Sequence, residues 1–205
     1  SGKRVAIVGA GPAGLTAAFH LLRRGHACTV FDEHEQPGGM LRYGIPEFRL
    51  PKEILDLEIN QILDLGPTLR TNVALGRDFT LDGLFDQGYQ AAFLGLGCHL
   101  GKPLGIPGED AGGVMQGVDF LRKQNLGEPL TVGKRLAVIG GGNVAIDVAC
   151  TARRLGSEVT IVYRRSREEM PAFAHEVEQA TCEGVELVFL AAPLNLASSS
   201  RRKTL

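Results

Sequence analysis

No Cys-x-x-Cys pair occurs anywhere in these 205 residues. The four cysteines, Cys28, Cys98, Cys150 and Cys182, stand far apart. That spacing argues against a disulfide framework or an iron–sulfur ligand set within the chain, and it favours a reducing compartment. Cys28 and Cys150 fall in apolar stretches and read as small core residues. An excess of one charge is also missing: 22 basic and 23 acidic residues leave a net charge of −1, so the balance calls for neither nucleic acid nor a membrane. Residues 5–22 come nearest to a membrane-spanning run, but three glycines, Pro12 and His20 interrupt them. No signal-peptide pattern precedes Val5. The expectation is a cytoplasmic protein. His20, His26, His34, His99 and His175 show no metal-ligand spacing and read as structural or solvent-facing, so no metal site is expected. Glu168 and Glu169 read as a charge cluster at a helix start, and Glu176 and Glu178 as a solvated helix face.

Glycine is in excess, at 27 residues, roughly double the usual share of about 7%. There is no Gly-X-Y period, so the surplus has a local cause. Part of it is a repeated phrase: "GKRVAIVGAGPAG" at residues 2–14 returns as "GKRLAVIGGGNVA" at 133–145. Each copy reads as a short β-branched strand, a glycine turn and a helix built from small residues. Strands are expected at 4–8, 27–31, 68–75, 90–97, 135–139, 159–163 and 185–190. Helices are expected at 12–24, 52–66, 118–125, 143–155 and 172–183. The Gly/Pro-rich stretch 37–51 has little regular pattern, and the tail 196–205 is polar, basic and expected to fray. A second Gly/Pro-rich stretch, 98–113, marks a domain crossing. The fold class is α/β: two Rossmann-like dinucleotide-binding domains with parallel sheets, at 1–113 and 114–205.

The first turn, Gly9-Ala10-Gly11-Pro12-Ala13-Gly14, matches GxGxxG, follows a strand and opens a helix. One glycine permits the tight turn, one lets backbone approach a pyrophosphate, and one lets helix and strand pack closely. The helix start offers unpaired N–H groups and a partial positive charge to phosphate. Asp32, at the end of the next strand, can accept hydrogen bonds from a ribose diol. In the second turn, Gly140-Gly141-Gly142-Asn143-Val144-Ala145, alanine replaces the last glycine, and the position equivalent to Asp32 is Tyr163, followed by Arg164 and Arg165. A carboxylate there would repel a 2′-phosphate, whereas guanidiniums would grip it. The second site is therefore expected to take NADPH.

"VAIVGAGPAGL", "PGGMLRYGIPEFRLP", "GGGNVAIDVA" and "YRRSREEMP", in that order, resemble the small-subunit family of NADPH-dependent glutamate synthase. They are equally similar to the flavin and NADPH domains of dihydropyrimidine dehydrogenase and of related NADPH:ferredoxin-type flavoproteins. The likeness covers residues 2–190; "GIPEFRLPKE" and "YRRSREEMP" are its narrower motifs. It implies FAD at the first turn, with contacts from Gly9, Gly11, Ala13, Gly14, Asp32, Gly39, Met40, Arg49 and the backbone of Leu75. It implies NADP contacts from Gly141, Gly142, Asn143, Val144, Arg164 and Arg165, with Arg167 a looser match. Members usually carry a cysteine-rich region before the first turn and a third flavin segment, a Gly-Asp stretch, well downstream. The chain has neither and reads as a truncated member.

The resemblance implies a hydride passed from NADPH to FAD, then single electrons passed to an iron–sulfur partner, such as a glutamate synthase large subunit or a ferredoxin-like protein. That transfer is a positioning task, so no catalytic side chain is expected. A thioredoxin-reductase-like enzyme needs a dithiol beside the flavin, and "GGMLRYG" has none. A non-catalytic nucleotide-binding or scaffold fragment stands as the alternative, and a monooxygenase as a third reading.

Overall fold

The computed structural model describes residues 2–197. The expectation for the basic tail falls on residues outside that range, apart from Leu196 and Ala197. The chain divides into two compact units, Ser1–His99 and Leu100–Leu205. The division lies inside the Gly/Pro-rich crossing, and earlier than a boundary at 113. The cause is local: the N–H of Leu196 donates to Pro107 O at 2.8 Å, tying the later part of the crossing to the second unit.

The first unit runs β1 (Arg4–Val8), α1 (Pro12–Arg23), β2 (Ala27–Phe31), α2 (Met40–Tyr43), α3 (Lys52–Leu63), β3 (Thr68–Arg70), α4 (Leu81–Asp86) and β4 (Ala91–Leu94). Its sheet is parallel, in the order β3-β2-β1-β4. The apolar runs reflect burial on both faces. Val5, Ile7, Cys28 and Val30 pack with Ala18 and Leu21 of α1. Ala6, Val8 and Phe31 pack on the other side with Leu84 of α4 and Tyr89. Fully burying side chains the size of Ile7 or Val30 contributes about 2 kcal/mol each.

The second unit runs α5 (Gly117–Asn125), β5 (Arg135–Ile139), α6 (Asn143–Arg154), β6 (Glu158–Tyr163), α7 (Ala174–Cys182) and β7 (Glu186–Phe189). Its parallel sheet has the order β5-β6-β7. Its core is centred on α6, where Ile146, Ala149, Cys150 and Ala152 are sealed against Ile161 and Ala180.

The repeated phrase folds twice into one geometry. Arg4 pairs with Ala27 as Arg135 pairs with Glu158. Both strands end on a glycine at positive φ, +106° at Gly9 and +139° at Gly140. Both of those glycines donate their N–H into the neighbouring strand, to Phe31 O and Val162 O. Both helices are capped by an extended glycine, Gly11 and Gly142.

Three expectations need correction. The strand expected at 68–75 stops at Arg70, because Asn72 takes φ +60° and turns the chain. The stretch 37–51 contains α2, and α4 was not anticipated; it is short and held by Thr80, whose hydroxyl accepts the Gly83 N–H at 3.1 Å. None of the helices among the described residues is long and apolar enough to cross a membrane.

Candidate functional site

At the first turn, bare backbone is a steric necessity. A Cβ on Gly9 would collide with Gly95 O, and one on Gly14 would collide with Gly9 O. The helix ladder begins at Leu15, which donates to Gly11 O at 3.0 Å. The N–H groups of Ala13 and Gly14 therefore precede the ladder, and Pro12 has none to give. Gly11 has open room apart from Gly39, whose Cα lies 3.7 Å from where a Gly11 Cβ would stand. The N–H of Gly38 donates to Ala10 O at 2.8 Å and fixes that approach.

Asp32 is buried at the mouth of this turn. Its Oδ2 accepts the Ala10 N–H at 2.6 Å, and its Oδ1 accepts the His34 N–H at 2.8 Å. The carboxylate thus joins the strand end to the glycine turn and keeps lone pairs for a ligand. His34, expected to be structural or solvent-facing, is structural. Its side chain is only 11% exposed, its Nδ1 lies 3.1 Å from Asp32 Oδ1, and its ring packs against Tyr43 and His99. The sequence reading missed Gly95: a Cβ on it would stand 3.2 Å from the Gly14 nitrogen, so it leaves space over the helix start.

The segment after Gly39 is held by charge. Arg42 pairs with Asp56 of α3 and donates to Pro37 O at 2.6 Å. The Lys52 ammonium donates to three carbonyls, Leu41 O at 3.1 Å, Ile45 O at 2.6 Å and Leu50 O at 3.2 Å. Burial pushes that ammonium below the usual lysine range, against the opposing pull of Glu47. Met40 folds over Gly44, and the Arg49 guanidinium lies 5.6 Å from the Phe48 ring centre. Leu75 bridges Phe79 and packs under the sheet with Val8 and Phe31. Replacing Lys52 with methionine leaves three carbonyls without their donor. It is expected to cost about 2 kcal/mol in thermal unfolding and to loosen the segment that carries Arg49.

At the second turn, Ala145 and Ile146 both donate to Gly142 O, leaving the N–H groups of Asn143 and Val144 ahead of the ladder. A Cβ on Gly142 would meet nothing within 4 Å. Gly141 occupies the position of Ala10, and the Tyr163 ring, at the position of Asp32, lies where its Cβ would be. The two substitutions compensate: where a compact carboxylate stands, alanine fits, and where a ring stands, only glycine does. Asn143 Oδ1 accepts the Phe173 N–H at 3.1 Å, and Gly141 O accepts the Ala172 N–H at 3.1 Å, so residues 172–173 are fastened to the turn. Val144 is 44% exposed and lies against Gly117. Arg164 and Arg167 are exposed, and Arg165 Nη1 lies 3.8 Å from Glu169 Oε1.

Two readings of acidic residues are corrected. Glu168 and Glu169 do not start a helix: α7 begins at Ala174, and the pair lies in the turn after Tyr163. Hydrogen bonding from Ser166 holds the Glu168 carboxyl below its usual range. Glu176 is 9% exposed rather than solvated, because α7 turns Glu176, Val177 and Ala180 inward; Glu178 is exposed as expected. Cys28 and Cys150 are buried, Cys98 and Cys182 are exposed, and none of the four forms a disulfide. No group of three or more metal-ligating side chains occurs among the described residues.

Residues 3–198 match the family model of pyridine nucleotide-disulphide oxidoreductases. The chain is 50% identical over 202 residues to the NADP(+)-dependent formate dehydrogenase subunit beta of Moorella thermoacetica, covering 97% of this chain and 28% of that protein. It is 41% identical over 215 residues to the glutamate synthase [NADPH] small chain of Escherichia coli (strain K12), covering 99% of this chain and 45% of that one. In fold it resembles Mycobacterium tuberculosis FprA in complex with NADPH, with a TM-score of 0.79 at 22% identity, over 97% of this chain and 61% of FprA. The chain thus spans less than half the length of either sequence relative.

Proposed function

Since the chain belongs to the pyridine nucleotide-disulphide oxidoreductase family, we propose that it is the FAD- and NADPH-binding module of a cytoplasmic oxidoreductase that passes electrons to an iron–sulfur partner domain or subunit. FAD is assigned to the first unit and NADPH to the second. Relatives named as formate dehydrogenase beta subunit and glutamate synthase small chain support this reading.

FAD, when bound, supplies the two-electron chemistry that takes reducing equivalents from NADPH and hands them on singly. The chain's own residues bind and orient. Gly9, Gly11, Ala13 and Gly14 give the pyrophosphate a bare turn and a helix start. Asp32 orients a ribose diol, and Gly39, Met40, Arg49 and Leu75 complete the flavin side. Gly141, Gly142 and Val144 cradle the second pyrophosphate. Asn143 acts there through the backbone it pins at Phe173. Arg164, Arg165 and Arg167 meet the 2′-phosphate. No side chain is assigned a proton.

The observation that carries the reading is the contrast at two equivalent strand ends: a buried carboxylate tied to the turn in one, exposed guanidiniums in the other. The test is an absorbance spectrum of the purified protein, taken anaerobically before and after adding coenzyme. Flavin absorbance is expected, with bleaching by NADPH well ahead of NADH at equal concentration. A colourless protein that takes up no flavin overturns the proposal and favours the scaffold reading.

A further inference from the structure

The turn that follows β6 is organised by residue 169, through its backbone carbonyl as well as its carboxylate. The Tyr163 hydroxyl donates to the backbone carbonyl of Glu169 at 2.9 Å, and the Ser166 N–H donates to the carboxylate oxygen Oε2 of Glu169 at 3.2 Å. The other carboxylate oxygen, Oε1, lies 3.8 Å from Arg165 Nη1. The turn is braced from outside where Leu190 N–H donates to Arg165 O and Ala191 N–H to Tyr163 O, each at 3.2 Å. Among the described residues Arg164 pairs with no carboxylate. Of the three arginines that could meet an anion, Arg165 is therefore partly neutralised by the residue that shapes the loop, while Arg167 lies in the field of Glu168.

We propose that Glu169 sets the strength of 2′-phosphate discrimination at this turn: its backbone carbonyl and one carboxylate oxygen position the arginines through hydrogen bonds, and its charge attenuates the field of Arg165. The inference rests on the reading of the second unit as an NADPH site. Two opposing effects follow. The hydrogen bonds to Ser166 N–H and from Tyr163 hold Arg164 and Arg165 at the end of β6, which favours a phosphate. The carboxylate competes with that phosphate for Arg165 and repels it. Glu169 and Arg165 are 53% and 54% exposed, so their attraction is weak and solvent-screened, and an incoming dianion can displace it.

The two effects separate by substitution. Glu169→Gln keeps an acceptor for Ser166 and removes the charge. Tyr163→Phe keeps the charge and removes one hydrogen bond. Adenosine 2′,5′-bisphosphate and 5′-AMP, titrated calorimetrically into the whole chain, report the 2′-phosphate alone and need no bound flavin. Glu169→Gln is expected to tighten bisphosphate binding about threefold to fivefold and to leave AMP unchanged. Tyr163→Phe is expected to weaken bisphosphate binding about twofold, again sparing AMP. An unmoved bisphosphate-to-AMP ratio in both variants, with the wild type preferring the bisphosphate, overturns this inference alone. A wild type that shows no such preference overturns the NADPH reading and this inference with it.

Discussion

Replacing Gly14 with alanine is expected to abolish flavin retention and to destabilise the first unit by about 3 kcal/mol, the upper end of what overpacking a tight site costs. The added methyl would collide with the carbonyl of Gly9, which is backbone and cannot rotate away. Gly9 is itself held, at φ +106°, by its N–H bond to Phe31 O and by its approach to Gly95. Relief must therefore come from lifting α1 off β1, which opens the packing of Ala18 and Leu21 against Val5 and Ile7. The second unit provides an internal control. There the same position is Ala145, already accommodated and buried, so its helix stands far enough from β5 for a methyl. Ala145→Gly should cost only about 1 kcal/mol, the propensity difference in a helix. Thermal unfolding and flavin absorbance after gel filtration check both. A Gly14→Ala protein that melts with the wild type and stays yellow would show that the helix can shift freely.

Arg164→Glu is expected to erase the preference for NADPH. Charge-assisted bonds from a guanidinium to phosphate are about twice as strong as neutral ones. Losing them and adding repulsion should cost about 3 kcal/mol, a drop on the order of a hundredfold in apparent affinity. NADH, with no 2′-phosphate, should bind as well as before or slightly better. Arg164 pairs with no carboxylate among the described residues, so stability should hold within about 0.5 kcal/mol. The KM for each coenzyme, followed by flavin reduction, measures the switch. An unchanged ratio would remove Arg164 from its assigned role.

How far the sequence could be read depended on whether a feature repeats. The strand–turn–helix–strand opening was legible because its glycines, apolar runs and helix ends recur at one spacing, and the shared register bears this out. The stretch 68–75 misled because alternation records sidedness but not the sign of φ. Leu69 packs with Val30 on one face, whereas Val73 and Leu75 pack with Phe31 on the other, and Asn72 makes the change between them. Glu176 misled because its helix faces inward on the side where the acid stands. Glycines at both turns were legible as bare backbone, but what lies against each was not: Gly95 over Gly9, Gly39 over Gly11 and the Tyr163 ring over Gly141 come from distant parts of the chain.

The coupling of Ala10 with Asp32, and of Gly141 with Tyr163, constrains how coenzyme preference can be exchanged. An engineer who grafts Tyr-Arg-Arg onto the first unit would drive a ring into the Ala10 methyl unless that residue became glycine as well. The reverse graft would leave a gap above Gly141. Exchanging the preference therefore calls for both positions to change together, since a replacement at either one alone meets a clash or leaves a void.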